Sequence, residues 1–563
     1  MSALSLTPTD SVLAVVAGAL ATHLVFNRFE PTELPVVAAL LLGTPSVFSP
    51  LLVGHHGILK GTFLTFSVFL ATLAASVALY RISPFHPLAR YPGPLLAKIS
   101  RWYWAYIAVQ GHQHTEFQHL HEIHGDVVRI GPNELSFRDV SLIQPMMGAQ
   151  GLPKGPMWDG RTFKPPVLPL VGLRDVQEHA RRRRPWTRAF SSAALKEYEP
   201  VVARRGAQLV EILAEQKETD FVHWIHLFTF DIMSDALFGG NPGAEMMRTQ
   251  DGEGVMESMK TGFEAAQVYE NIPWLGYWMR HFPQLAQATK RYRTMCFQRG
   301  MQRYHAGSKQ KDLFYYLSNE DGAEAHTPDK STVLADSALA IIAGSDTTAS
   351  VFSTLLFLLL RHPRALARLR AELDAACPPE ADALDPQHTA RVPYLDAVIN
   401  ETLRLYPVVP SGSQRAPERG SGGAVLGEHF IPEGTSVRVH FWSVHRDARN
   451  FARPDAFVPE RWLASTPTNP TTPAPGKDLG LDTGLGKDFV HDARAFVPFS
   501  AGPWNCVGRG LALLELRCVT AHLLQRLDIR FKEGWDPAAW EGALEDRFVV
   551  KTGRLPVVVV RRG

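Results

Sequence analysis

The stretch FSAGPWNCVG, residues 499–508, places a single cysteine, Cys506, in a short segment rich in glycine and proline. Gly502 and Gly508 suit a tight backbone turn whose inward-facing amides can donate hydrogen bonds to a thiolate. The residues from 511 to 527 follow a helical pattern, and the positive end of a helix dipole lowers the pKa of a nearby thiol. A free cysteine in a turn is more often a buried structural residue, and the stretch alone leaves that alternative open.

The spacing Phe-x-x-Gly, with a cysteine four residues after the glycine and then x-Gly, resembles the haem-binding signature of the cytochrome P-450 family. The resemblance implies that Cys506 is the axial thiolate ligand of haem iron, and that Phe499, Gly502 and Gly508 surround the cofactor. Trp504 departs from the pattern, because the family has there a basic residue that binds a haem propionate. An indole offers one N–H and no charge, so other side chains must compensate.

A long apolar helical pattern, residues 334–360, contains the polar run AGSDTTAS. Glycine, serine and threonine weaken or bend a helix locally, so a structural kink is one interpretation. The other is an acid and an alcohol that relay protons to a cofactor-bound oxygen, and Asp346 and Thr347 fit this function. The run AGSDTT also resembles the family's oxygen-activation motif, in which Ala343 and Gly344 would leave room for dioxygen.

The segment HARRRRPWTRAF, residues 179–190, places His179 and Arg183 one helical turn apart on the same face. A run of four arginines is by itself most often a solvated basic surface. The family resemblance assigns the haem propionates to His179 and Arg183, with Arg415 as a further arginine near the haem edge. The remaining arginines are candidates for a positive surface that docks an acidic electron donor: Arg181, Arg182, Arg184 and Arg188.

Glu401 and Arg404 lie three residues apart in the helical run ETLR, and Arg461 lies in the later run FVPERW. An exposed pair at this spacing is the ordinary interpretation. The resemblance implies instead that Glu401, Arg404 and Arg461 form a buried charge network. This network would support the thiolate loop without taking part in the reaction.

Three uncharged hydrophobic stretches open the chain, at residues 11–26, 34–54 and 61–80. The third matches the roughly 20 residues that a helix needs to cross a bilayer. The second contains three prolines, which predicts a broken or re-entrant span. A cleaved signal peptide is the alternative for the first stretch, but that stretch has no basic leader and no clear cleavage site.

Basic residues follow the third stretch, at Arg81, Arg90, Lys98 and Arg101, which places the rest of the chain on the cytosolic side of the membrane. We therefore expect a membrane anchor at residues 1–83, with up to three spans, and a proline-rich linker at 84–101. The expected location is the endoplasmic reticulum membrane. These features also resemble the fungal-type, microsomal members of the family.

Residues 102–563 show mostly helical patterns with short strands, such as 126–130 and 134–137, which predicts a mainly α fold with small β-sheets. This is the catalytic domain, and its segment 465–487, rich in Thr, Pro and Gly, is expected to be a flexible surface loop. A net charge of +2 on 563 residues argues against a nucleic-acid partner. Four widely spaced cysteines give neither a disulfide framework nor a zinc cluster.

The resemblance implies a monooxygenase that contains haem b (iron protoporphyrin IX) and inserts one oxygen atom of O2 into a lipophilic small molecule, such as a terpenoid or polyketide of secondary metabolism. The chain has no glycine motif for flavin or nicotinamide in the right context, so electrons must come from an NADPH-cytochrome reductase, with cytochrome b5 as a second candidate donor. Two alternatives stay open: a reductase-independent haem-thiolate isomerase or peroxygenase, and a non-catalytic haem- or lipid-binding membrane protein. The sequence does not indicate the substrate or the site of oxidation.

Overall fold

The computed structural model describes residues 6–163, 165–240, 244–279, 281–282, 289–378, 381–463 and 489–562. The segment 465–487, for which the sequence predicts a flexible loop, lies outside these residues. The described part is mostly helical with small sheets, which confirms the predicted fold class.

The N-terminal part is a bundle of apolar helices: α1 Pro8–Phe29, α2 Leu34–Ala38, α3 Thr44–His56 and α4 Ile58–Ile82. Its helices approach closely at glycines, since a Cβ on Gly18 would lie 2.6 Å from the Phe48 ring and one on Gly61 would lie 2.5 Å from the Val53 backbone. Small residues at helix contacts are typical of bundles in lipid. Three stretches of this bundle are long and apolar enough to cross a membrane: Pro8–Phe29, Leu34–His56 and Ile58–Ile82.

The second stretch differs from its predicted form. A π-helical segment, Ala39–Gly43, joins α2 to α3 and makes one helical stretch of 23 residues. Pro45 is the second residue after this segment, and the wider π turn accommodates a residue that has no N–H to donate. The predicted break or re-entrant turn is therefore wrong.

The helices of the globular part surround one long central helix, α18. They are α5 Leu95–Ile99, α6 Trp102–Gln110, α7 Gln113–His124, α8 Ile143–Met147, α9 Met157–Arg161, α10 Val176–Ala189, α11 Ser192–Gln216, α12 Phe221–Phe238, α13 Met246–Thr249, α14 Val255–Asn271, α15 Pro273–Met279, α16 Lys290–Ala306, α17 Leu313–Leu317, α18 Lys330–Arg361, α19 Pro363–Ala376, α20 Pro386–Thr389, α21 Pro393–Leu405, α22 Phe441–His445, α23 Arg509–Arg526 and α24 Ala538–Gly542.

Helix α18 is also apolar enough to span a bilayer by composition, but 72% of its apolar window is buried inside the protein. It packs against α12, α16, α21 and α23, so its hydrophobic surface is covered by protein. α18 is therefore the core helix that positions the polar run AGSDTTAS.

The strands are short: β1 Val127–Gly131, β2 Glu134–Phe137, β3 Glu218–Asp220, β4 Ala424–Leu426, β5 His429–Ile431, β6 Ser436–Val439, β7 Leu527–Phe531, β8 Glu545–Arg547, β9 Val549–Lys551 and β10 Pro556–Arg561. One sheet has the order β1-β2-β6, with β2 antiparallel to β1 and parallel to β6. A second has the order β3-β10-β7 and is antiparallel. β4–β5 and β8–β9 are separate antiparallel pairs.

Candidate active site

The loop before α23 exposes Cys506 to solvent, whereas the other three cysteines are buried. The Cys506 amide donates to the Phe499 carbonyl at 2.9 Å and the Asn505 amide donates to the Gly502 carbonyl at 3.1 Å, which closes the loop. Gly502 has a φ of +66°, and a Cβ there would lie 2.0 Å from the Met147 carbonyl oxygen. Only glycine fits both the conformation and the space.

The Cys506 thiol is reachable by solvent but closely surrounded by protein. Burial raises its pKa above the ordinary value, while backbone amides of Gly508 and Arg509 and the charge of Arg183 oppose this rise without cancelling it. The predicted net lowering by the helix start is therefore wrong for the protein groups alone, because desolvation of a thiolate is the larger effect.

Helix α10 lies against the cysteine loop. Arg183 donates from Nη1 to the Asn505 carbonyl and from Nη2 to the Asn505 side-chain oxygen, each at 2.6 Å. The His179 ring stacks on Trp504, with centroids 3.8 Å apart and an interplanar angle of 30°. The structure thus brings both residues of this helix that the sequence selects to the same loop as Cys506.

A buried ion pair joins α10 to α18. Arg182 Nη2 lies 2.8 Å from Asp336 Oδ1, and both side chains are buried. The Trp186 indole also donates to this carboxylate, at 3.4 Å. Arg182 therefore cannot belong to the predicted docking surface, since its guanidinium holds two helices together. Arg181 and Arg188 are more exposed and pair with carboxylates of the protein surface.

Trp504 lies inside a cluster of cations. Lys154 Nζ is 5.1 Å and the Arg415 guanidinium carbon is 5.7 Å from its ring centroid. Lys154 and Arg415 are only 7% and 1% exposed. Arg415 Nε and Nη1 are buried, and no described residue forms a hydrogen bond with them. Burial and the like charges of Arg415 and Arg183 lower the pKa of Lys154 well below its ordinary value.

We define Lys154, Arg183 and Arg415 as the basic cluster. In the described part of the chain, no Asp or Glu forms an ion pair with any of its members. Buried cations without counter-ions are unfavourable unless a ligand neutralises them. The cluster beside an exposed thiol therefore fits a flat group that carries two carboxylates, as haem does.

Helix α18 continues without interruption through the run AGSDTTAS. The Thr347 hydroxyl donates to the Ala343 carbonyl at 2.7 Å, one turn earlier. Ala343 is exposed although it lies on a core helix. A Cβ on Gly344 would lie 2.3 Å from the Met233 sulfur of α12. Close packing against α12 therefore explains Gly344, and the room for dioxygen that we expected at both residues stays a prediction.

Asp346 is the acid of this run, and its side chain is 17% exposed. Burial raises its pKa to about 6, while the charges of Lys260 and Arg161 act in the opposite direction. His226 Nδ1 of α12 lies 3.7 Å from Asp346 Oδ1, and burial lowers the pKa of this histidine to about 3. A carboxyl group that titrates near neutral pH is suited to proton transfer.

Glu401, Arg404 and Arg461 come together and are each 0% exposed. Arg404 binds the carboxylate in a bidentate manner, at 2.8 and 2.9 Å, and Arg461 Nε lies 3.1 Å from it. The Val458 amide and the Trp462 indole also donate to this carboxylate, at 2.9 and 3.0 Å. Each carboxylate oxygen therefore has several donors.

Sequence reasoning did not select Lys154, Arg161 or His226. Each is distant in sequence from the groups it approaches, and none lies in a recognisable motif. A lysine between proline and glycine and a histidine on an apolar helix are weak signals. Only tertiary contacts reveal these residues.

Comparisons with known proteins agree with this geometry. A family model described as Cytochrome P450 matches residues 92–552. "Cytochrome P450 67" of Uromyces fabae is 32% identical and covers 94% of this chain and 95% of its own length. "Cytochrome P450 monooxygenase orf5" of Eupenicillium brefeldianum is 34% identical, over 87% of this chain and 94% of its own length. "Tryprostatin B 6-hydroxylase" of Aspergillus fumigatus is 30% identical, over 90% and 86%.

The matched region contains the cysteine loop, the basic cluster, the acid of α18 and the buried Glu401 network. Its curated relatives are fungal and match over most of their own length. The chain therefore belongs to the cytochrome P450 family and is an enzyme of its monooxygenase class.

Proposed function

We propose that this protein is a membrane-bound monooxygenase that inserts one atom of O2 into a lipophilic secondary metabolite, such as a terpenoid or polyketide, with electrons from an NADPH-dependent reductase. The observation that carries this proposal is the exposed Cys506 thiol beside a basic cluster that has no carboxylate partner in the described part of the chain. The names of the relatives, among them a tryprostatin B 6-hydroxylase, support hydroxylation of a natural product.

The residues present fit haem. Cys506 would hold the haem iron through its thiolate, and Lys154, Arg183 and Arg415 would bind the two propionates. Trp504 would hold the cluster in place, because a cation over an indole ring is attractive and His179 stacks on the same ring. Haem with a thiolate ligand supplies the chemistry that activates O2 and cleaves its O–O bond.

The protein supplies protons and rigidity. Asp346, with a pKa of about 6, can release and regain a proton near neutral pH, and the Thr347 hydroxyl lies next to it in sequence. Because desolvation raises its pKa, a large share of this carboxyl group is protonated near pH 6 and can donate a proton. The Glu401 network does not react, and it fixes the segments that contain Arg404 and Arg461 through charged hydrogen bonds.

We further propose that the anchor crosses the endoplasmic reticulum membrane three times and leaves the haem domain in the cytosol. The Trp278 indole of α15 donates to the Thr32 carbonyl, between α1 and α2, at 2.9 Å. Arg129 of β1 donates to the Arg81 carbonyl at the end of α4, also at 2.9 Å. The last residues of α1 and of α4 thus lie on the side of the globular part. Because α1 crosses the membrane, its first residues lie on the opposite side.

The orientation can be tested in microsomes. An N-glycosylation sequon added before Thr7 should be modified, because three spans place that end in the lumen, while protease added outside should digest the haem domain. An unmodified sequon together with a protected haem domain would show that the orientation is reversed.

The enzymatic proposal is tested with full-length, haem-loaded protein. The reduced protein with carbon monoxide should show the long-wavelength band of a thiolate ligand, which Cys506→Ser abolishes and the buried Cys518→Ser retains. An unchanged band in Cys506→Ser would contradict the ligand assignment. Turnover should require O2, NADPH and the reductase. Turnover without a reductase would favour the isomerase or peroxygenase, and a normal band without any turnover would favour a binding protein.

A further inference from the structure

Arg161 at the end of α9 is a buried cation whose two terminal nitrogens differ in their hydrogen bonds. The residue is only 9% exposed. Its Nη1 donates to Glu270 Oε2 at 2.8 Å and to Gln267 Oε1 at 3.4 Å, both on α14. Its other terminal nitrogen, Nη2, is buried and has no hydrogen-bond partner among the described residues. An unsatisfied buried N–H is costly, so this geometry favours an acceptor from outside the protein.

Aromatic rings surround this guanidinium. Its carbon lies 4.0 Å from the ring centroid of Phe548 and 5.9 Å from that of Phe263. Trp158 meets Phe548 edge to face, with centroids 5.4 Å apart. An apolar ring of a ligand would find flat partners here, next to Nη2.

Phe548 is held at the turn between β8 and β9 in an uncommon conformation, with a φ of +75°. Its amide donates to Asp546 Oδ1 at 2.9 Å, which stabilises the turn. Left-handed backbone is unfavourable for a bulky aromatic residue and occurs most often where function requires it. The turn therefore presents the Phe548 ring at some energetic cost.

The β8–β9 pair is attached to α18 close to the oxygen-activating acid. The Ser350 hydroxyl, one turn after Asp346, donates to the Val550 carbonyl at 2.9 Å. The charge of Arg161 also acts on Asp346, where it opposes the rise in pKa that burial causes. Arg161 is therefore within electrostatic reach of the acid that the proposed reaction uses.

We infer that Arg161 is a specificity-determining residue that donates from Nη2 to a neutral carbonyl oxygen of the substrate, while an apolar ring of that substrate packs against Phe548 and Trp158. The acceptor is neutral because Glu270 already offsets the charge of Arg161, unlike the cations of the basic cluster. A substrate carboxylate would instead be repelled by Glu270. This inference rests on the proposed monooxygenase function, since it names the substrate class of the same site.

The test compares three matched probes on full-length, haem-loaded protein: 2-acetylnaphthalene, 2-ethylnaphthalene and 2-naphthoate. Binding is measured by the haem spectral shift, which requires no turnover. The parent should bind the ketone about tenfold more tightly than the hydrocarbon, as a lost hydrogen bond to a buried donor predicts. The carboxylate should bind more weakly than the ketone.

Arg161→Met should bring the ketone-to-hydrocarbon ratio to about one while the hydrocarbon still binds. Because this variant leaves Glu270 unpaired, the double variant Arg161→Met/Glu270→Gln keeps the test valid if the single variant does not fold. Lys551→Met is the matched control, since Lys551 of β9 pairs with Glu264 of α14, the helix that also contains Glu270, and both side chains of this pair are nearly half exposed. This control should leave the ratio unchanged.

A ratio that survives in the double variant overturns the inference, and so does a parent that binds none of the probes or prefers the carboxylate. A normal carbon monoxide band and reductase-dependent consumption of NADPH and O2 by the parent separate these outcomes from failure of the proposed function, because that function requires both and neither requires a substrate that contacts Arg161.

Discussion

Two groups of charged side chains in this protein, each with buried members, contrast in how they are compensated. In the Glu401 network, one carboxylate lies between two arginines, and backbone and indole donors complete its hydrogen bonds. In the basic cluster, Lys154, Arg183 and Arg415 have no carboxylate partner within the described residues. Compensated charge stabilises structure, whereas uncompensated charge indicates where a ligand of opposite sign binds.

The pKa shifts of the two groups follow this difference. The pKa of Glu401 is lowered although burial raises it, because Arg404 and Arg461 outweigh desolvation. The pKa of Lys154 is lowered well below its ordinary value, because burial and like charges act in the same direction. The protein thus stabilises the charged form of Glu401, whereas it destabilises the charged form of Lys154.

The largest expected effect is the loss of Glu401. Glu401→Ala should destabilise the fold by about 3–5 kcal/mol, because it leaves two buried arginines without their partner. Denaturant unfolding of the purified protein measures this change. The control is Glu211→Ala, since Glu211 and its partner Arg561 are 60% and 55% exposed, and it should cost at most about 1 kcal/mol. Equal costs for the two variants would contradict the comparison.

Asp346 is an intermediate case, because Lys260 and Arg161 oppose its desolvation only in part. Burial raises its pKa from 3.8 to about 6. Between these values the unfolded chain ionises and the folded chain does not, so stability is lost as pH rises from about 4 to 6. Asp346→Asn should therefore stabilise the protein at pH 7.5, by up to about 3 kcal/mol.

Thermal unfolding of Asp346→Asn and the parent at several pH values checks this sign. The advantage of the variant should shrink below pH 6 and vanish near pH 4, given the pKa of about 6. An advantage that grows as pH falls would mean that the carboxylate is stabilised in the folded state.

Arg415→Met should separate haem binding from folding. The haem-free variant should be as stable as the parent or more stable, because a buried, unpaired guanidinium is replaced by an apolar side chain. Haem should dissociate about tenfold faster, which corresponds to about 1.4 kcal/mol. Transfer of haem to an apoglobin measures the rate. Arg494→Met, at a side chain that is 78% exposed, is the control and should change neither property.

The smallest effect is expected at Trp504. Trp504→Arg should keep haem at the parent rate or improve its retention, because the new side chain can bind a propionate. The haem-free form should lose about 1 kcal/mol, because a fourth cation joins the cluster and the cation–π contacts disappear. Haem loss and unfolding are measured beside Arg183→Ala, which should lose haem readily. If Trp504→Arg loses haem while Arg183→Ala keeps it, the indole is an essential wall of the cofactor site.

Local motifs predicted much of the site. The loop of Cys506, the acid of α18 and the Glu401 network could be recognised because each depends on residues a few positions apart, or on short runs of characteristic spacing. The presence of individual helices and strands was also predictable. α18 extends only a few residues beyond the predicted range 334–360, and β2 matches residues 134–137. Apolar periodicity is a local property, so the chain records it directly.

Long-range packing decided the rest. The sequence could not show that Gly344 faces Met233, that Arg182 is buried against Asp336, or that Lys154 and Arg415 meet at Trp504. It also did not show that a π turn carries the second anchor helix past Pro45. The sequence by itself determined the family, the helices and the thiolate loop, because these follow from local spacing. The tertiary structure decided which charges are compensated, because that depends on groups far apart in the chain and on how much water the fold excludes between them.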